Sequence, residues 1–285
     1  MSEQNITVDI LTPDAVTEKA ESLGVKKAKY SLRTTMMLGI LAGAFIALAG
    51  EFYTMVVFDA QVGFSLARLL GGLVFSMGLI LVVITGAELF TGNTLLLIAY
   101  MTKKITFKDL MRNWLLVYIG NFIGAFGIVL LVYYSNQWVL KEYSFAVEAV
   151  KIGVSKVSND FFTAMVRGIL ANTLVVLAVW LSYSGRTLTD KLLAVIFPIT
   201  AFVASGFEHS IANMYFIPMA LMLKTVPAVQ QALSSSAPHL DIVLLSVPNA
   251  IIKNFIPVTI GNIIGGGVFV GLAYWFIYLY KRVEE

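Results

Sequence analysis

TGAELFTGN at residues 85–93 and SGFEHSIAN at residues 205–213 share one skeleton, [T/S]-G-x-E-x-x-x-x-N, and each sits inside a long apolar segment. Two further pairs run in the same order. GILAGAFIALA (39–49) matches GILANTLVVLA (168–178), and IGNFIGA (119–125) matches IGNIIGG (260–266). The chain is therefore an internal duplication: repeat one at about 30–140 and repeat two at about 155–280. Together they form a unit over 30–285, preceded by a separate segment, 1–29.

Composition says what kind of duplication this is. Of 285 residues 58% are hydrophobic and only 13% charged, about half the charge of soluble domains. Charge-free runs at 34–50, 69–87, 113–140, 168–185, 192–207 and 254–280 are mostly near or above the roughly 20 residues that carry an apolar helix across a bilayer. We read an all-α integral membrane protein with six transmembrane helices, three per repeat. Three is odd, so the second repeat enters the membrane inverted, an arrangement used by transporters and channels with their site near the midplane.

The quoted stretches mark that site. Residues 69–102, taken as one helix, would be about 51 Å long at 1.5 Å per residue, against a hydrocarbon core of about 30 Å. Residues 192–223, which include Pro198 and Pro218, raise the same difficulty. Helices 2 and 5 are thus expected to break at the Gly-x-Glu element, where non-helical backbone survives only beside protein or a water-filled cavity. Gly86 and Gly206 supply the turn. Glu88, Asn93, Glu208 and Asn213, which recur in matching places, serve as structural groups for the freed backbone. His209 stands apart because its counterpart is Leu89. A side chain titrating near neutrality at such a break suits a gate or proton donor.

Charge placement orients the chain. With both termini cytoplasmic, Lys19, Lys26, Lys27, Lys29, Arg33, Lys103, Lys104, Lys108, Arg112, Arg186, Lys191, Lys281 and Arg282 lie inside. Only Lys141, Lys151, Lys156, Lys224 and Lys253 lie outside, with Arg68 and Arg167 near span ends. That agrees with the positive-inside rule and explains the net charge of +3 without a nucleic-acid partner. The start, MSEQNITVDILTPD, lacks a basic region followed by an apolar core, so it does not read as a signal peptide. Thr12-Pro13-Asp14 reads as a helix start and Gly24 as its stop. Val16, Ala20 and Leu23 share one face of a short amphipathic helix that rests on the cytoplasmic surface.

Several classes are excluded or disfavoured. Without cysteine there is no disulfide or thiolate metal site, and no metal or cofactor is expected. No G-x-x-x-x-G-K-[S/T] nucleotide loop occurs. Ser205 and Ser210 flank His209, but no G-x-S-x-G elbow accompanies them, so no enzyme is expected. A water or glycerol channel would show Asn-Pro-Ala at both half-helix starts, where this chain has Gly92-Asn93-Thr94 and Ala212-Asn213-Met214.

SGFEHSIANM, IPVTIGNIIGGG, AVWLSYSGRTLTDK, VITGAELFTGN and RNWLLVYIGN together resemble the formate–nitrite transporter family, most closely its formate channels, over nearly the whole chain. The resemblance implies an aquaporin-like six-helix protomer, a homopentamer in the membrane lipid of the bacterial inner membrane, and passage of formate, nitrite or hydrosulfide. It implies that His209 is the pore histidine, Thr91 the threonine of the first break, Lys156 the lysine before helix 4, and Asn172 and Asn262 the asparagines nearby. Constrictions would be lined by Phe75, Leu79, Leu89, Phe90, Val175 and Phe202. Where several formate channels are histidine-rich after that lysine, this chain reads VSNDFF at 157–162. The physical logic suits a weak-acid anion. An apolar ring imposes a steep desolvation cost on the ion and little on the neutral acid, so Lys156 would gather the anion and His209 would supply a proton. Glycines of GNFIGAFG and GNIIGGG offer small faces for helix packing, including assembly.

Overall fold

The computed structural model describes residues 9–280; Lys281 and Arg282, counted above on the basic side, lie outside them. Helix α1 (Pro13–Ala28) is followed by α2 (Leu32–Val57) and α3 (Phe64–Thr85). A turn of 3-10 helix at Gly92–Leu95 leads into the short α4 (Leu96–Met101), and α5 (Phe107–Tyr134) closes the first half. The second half runs through α6 (Ser144–Val157), α7 (Phe161–Ser184), α8 (Leu188–Ala204), α9 (Ser210–Leu223) and α10 (Pro227–Ser236). It ends in one long span, Val247–Tyr278. Five helices (α2, α3, α5, α7 and the last span) are long and apolar enough to cross a membrane, or six if α9 and α10, bent by 99° at their break, count as one span. Helices suit this setting because they satisfy their own backbone where no water can.

The sequence starts these helices with explicit signals. Thr106 with Asp109, and Thr187 with Asp190, form reciprocal capping boxes at α5 and α8. Ser31 and Asp160 cap α2 and α7 through Thr34 N and Thr163 N. Each such cap is worth about 1 kcal/mol.

Both broken spans break at the repeated glycine. Gly86 (φ 75°) and Gly206 (φ 74°) sit in the left-handed region, which costs an L side chain roughly 1–2 kcal/mol. Pro198 and Pro218 do not make the breaks; α8 and α9 continue through them. The halves differ beyond the break: α9 is a helix of 14 residues, whereas its partner is a 3-10 turn and six residues of α4.

The small residues of the repeat act inside the protomer. A Cβ on Gly124 would stand 1.9 Å from the carbonyl oxygen of Ile40, and one on Gly265 would stand 2.1 Å from that of Ile169. Thus α5 crosses α2, and the last span crosses α7, at backbone contact. Gly120, Gly124, Gly261 and Gly265 are thus used inside the protomer, while a Cβ on Gly127 would meet nothing within 4 Å. Around Gly265 the last span widens into a π-helix, Ile264–Leu272, after an earlier one at Ala250–Phe255. Such turns often mark functional positions.

Helix α1 departs from its expectation in two ways. It runs past Gly24 to Ala28, because Gly24 is a contact and not a stop: a Cβ there would meet that of Ala99 at 3.0 Å. Nor does α1 merely rest on a surface. Val16, Thr17, Ala20, Glu21 and Ala28 are buried, and α1 and the residues just before it are tied to the end of α7: Lys19 Nζ donates to the carbonyl of Tyr183 at 2.7 Å, and Ser184 Oγ to that of Leu11 at 2.9 Å.

Candidate functional site

The two breaks meet near the centre of the molecule, and each is held by one asparagine. Asn121 of α5 accepts from Phe90 N (2.9 Å) and donates to the carbonyls of Glu88 (2.9 Å) and Gly39 (2.8 Å). Asn262 of the last span repeats the pattern: it accepts from Ser210 N (2.9 Å) and donates to Glu208 O (3.0 Å) and Gly168 O (2.8 Å). An asparagine is needed because the freed backbone presents both a donor and acceptors, which only an amide satisfies together.

The glutamates are held alike. Glu88 pairs with Lys27 of α1 at 3.1 Å and accepts from Asn93 at 2.7 Å; Glu208 pairs with Lys156 of α6 at 3.0 Å and accepts from Asn213 at 2.8 Å. Asn113 and Asn254 close the two sets by accepting from Asn93 (2.9 Å) and Asn213 (2.8 Å). Both carboxylates are buried. One difference breaks the symmetry. Lys27 Nζ also reaches Asn93 Oδ1 at 2.8 Å, while Asn213 Oδ1 has no partner.

Between the sets lies the unmatched histidine. His209 caps α9, its Nδ1 accepting from Ala212 N at 3.1 Å, and its Nε2 lies 2.9 Å from Thr91 Oγ1. A backbone N–H can only donate, so Nδ1 is unprotonated and the neutral ring carries its proton on Nε2, directed at the Thr91 oxygen. The contact joins the two breaks directly. Asn172 fixes the threonine side: its Nδ2 donates to the carbonyls of Thr91 (3.2 Å) and Asn262 (2.6 Å). Neither Asn172 nor Asn262 bonds the imidazole. Both act one step back, on the backbone that carries it.

Two cavities approach this contact from opposite ends. The one on the α6 side is lined by Phe75, Phe202, Lys156, Gly206 and His209 among others; the wider one on the α1 side is lined by Leu79, Leu89, Val179, Lys27 and Glu88 among others. Phe75 and Phe202 meet edge to face at 5.8 Å, and Phe202 lies 5.8 Å from the histidine ring. Two residues expected at the constrictions border neither cavity. Phe90 turns its ring onto Tyr118 (5.0 Å) and Trp114 (6.0 Å) of α5, and Val175 is buried in the core, one turn from the Val179 that does line the α1-side cavity.

Sequence reasoning missed Lys27, Asn113 and Asn254, although signals for all three were present. RN at 112–113 and KN at 253–254 extend the repeat upstream of IGN, and Lys27 and Lys156 stand at the same distance before Gly39 and Gly168. Among the described residues no cluster of His, Asp or Glu is suited to hold a metal.

The sequence model described as Formate/nitrite transporter matches residues 14–276. The formate channel FocA of Escherichia coli K12 is 45% identical over 274 residues, 95% of each chain. A solved pentameric formate channel with formate bound is 43% identical with a TM-score of 0.80, covering 87% of this chain and 98% of its own. A solved FNT family ion channel is 27% identical with a TM-score of 0.76, covering 92% and 98%.

Proposed function

This chain belongs to the formate/nitrite transporter family, and from that premise we propose that it conducts formate through one pore in each protomer of a homopentamer in the bacterial inner membrane. The α1 side, which holds most of the basic residues, faces the cytoplasm. The observation that carries this reading is the His209–Thr91 contact set between an aromatic collar and an apolar wall, with a Lys–Glu–Asn set facing each cavity.

The arrangement fits a small weak-acid anion. Lys156 and Lys27 offer N–H donors at the two approaches, but each is offset by a buried glutamate, so an anion is attracted without being trapped. Phe75 and Phe202 make the ion pay for dehydration, which the neutral acid largely escapes. At the break the Thr91 hydroxyl, receiving the His209 Nε2–H, is free to turn its own proton toward a passing carboxylate. Passage is therefore pH-dependent, with the His209–Thr91 pair as the proton-handling element. A neutral solute such as glycerol gains nothing from two lysine–glutamate pairs.

Proteoliposome uptake of formate, nitrite, hydrosulfide and glycerol at pH 5.5 and 7.5 tests the reading. Formate flux well above glycerol flux, rising at the lower pH, is expected. Equal flux of glycerol and formate, or a requirement for ATP, would overturn it.

A further inference from the structure

Arg68, in the first turns of α3, reaches across to the end of α8. Its Nε donates to the carbonyl of Ala204 at 3.1 Å and its Nη2 to that of Val203 at 3.2 Å. These carbonyls form the C-terminal end of α8, which carries the negative pole of the helix dipole to the cavity. The guanidinium lies 5.9 Å from the ring centroid of Phe64. Its Nη2 stands 2.6 Å from where a Cβ on Gly206 would be, so the absence of a side chain at the break admits it.

Arg68 lines the same cavity as Lys156, Phe75, Phe202 and His209. Charge bookkeeping separates the two cations. Lys156 is offset by Glu208 at 3.0 Å, whereas Arg68 forms no ion pair with the described residues. No carboxylate among the described residues pairs with it, and its direct partners are the two carbonyls. The first half lacks the device: no atom comes within 4 Å of a Cβ on Gly86, and residue 188, at the place matching Arg68, is leucine.

We propose that Arg68 is a specificity-determining residue, the cation that draws a carboxylate anion into the α6-side vestibule. It cancels the carbonyl charge at the α8 terminus and offers the anion the guanidinium donors that the two carbonyls leave unspent. Lys156 then receives the anion deeper in. This rests on the reading of the chain as a formate channel with its α6 side outward.

The test is formate flux in oriented proteoliposomes for the unmodified protein, Arg68→Gln and Arg68→Lys, with formate supplied from either face and pentamer integrity checked by size exclusion. For Arg68→Gln the half-saturating formate concentration should rise about fivefold from the α6-side face, with the maximal rate within twofold. From the α1-side face it should stay unchanged. Reversibility then requires the low-concentration rates to fall by the same factor in both directions. Arg68→Lys, which keeps the charge and loses the fork, should recover part of the shift. An unchanged half-saturation from the α6 side, or an equal shift from both faces, overturns the proposal and leaves Arg68 a strap between helices. If the unmodified protein moves no formate from either face, the functional reading falls and the proposal with it.

Discussion

His209 makes two bonds that constrain each other, since the ring can cap α9 through Nδ1 only while its proton stays on Nε2. Asparagine is a strong N-cap in its own right, so His209→Asn should keep the fold and the pentamer while flattening the pH profile of formate flux between pH 5 and 8. An unchanged profile would show that the histidine only caps. The lysine–glutamate sets yield a second prediction. Removing one partner of a buried pair leaves a charge uncompensated, at a cost of about 3–5 kcal/mol. Lys27→Met should lower the thermal midpoint more than Lys156→Met, because Lys27 also satisfies Asn93 Oδ1. Lys156→Met with Glu208→Gln should regain most of the loss. Equal midpoints for the two single variants would refute the asymmetry.

Among elements, the two breaks are alike in backbone and unlike in surroundings. Gly86→Ala faces only the left-handed penalty of roughly 1–2 kcal/mol, having open space around it, whereas Gly206→Ala must also displace Arg68. The first should lower the melting midpoint alone and the second should reduce formate flux as well, measured on the same preparations. The cap of α7 gives a pH-dependent case. Hydrogen bonds from Thr163 hold the Asp160 carboxyl below its ordinary range. A depressed carboxylate contributes stability above its unfolded value and loses it as pH falls through the folded one. Acid unfolding of Asp160→Asn should therefore begin less steeply below about pH 4. The breaks were legible in the sequence because span length and a doubled motif both pointed to them. The extent of α1 was not: Gly24 carries the same local signal whether it ends a helix or seats it against Ala99, and only the position of α4 decides.

For the whole molecule, Gly124 is consumed at the crossing of α5 and α2 within the protomer, so Gly124→Val should abolish folded protein instead of releasing monomers. Monomers of native helicity in size exclusion with circular dichroism would contradict this. The repeat exposed the six-span plan and most of the site, since each half could be compared with the other. What stayed hidden was supplied from outside the matched motifs: Lys27 from α1, and Arg68 from a position whose counterpart is leucine. That α1 lines the cavity on its side has a consequence for how the chain is made. It leaves the ribosome before the spans, yet some contacts of this region form only much later; the guanidinium of Arg186 reaches the carbonyl of Asp9, 177 residues earlier. At roughly 5–20 residues per second, the contact of Lys19 in α1 with the end of α7 waits on the order of ten to thirty seconds. A bare carboxylate is costly at membrane depth, so the Lys27–Glu88 pair, whose partners are made well before the end of α7, is the contact that can hold α1 in place during the wait.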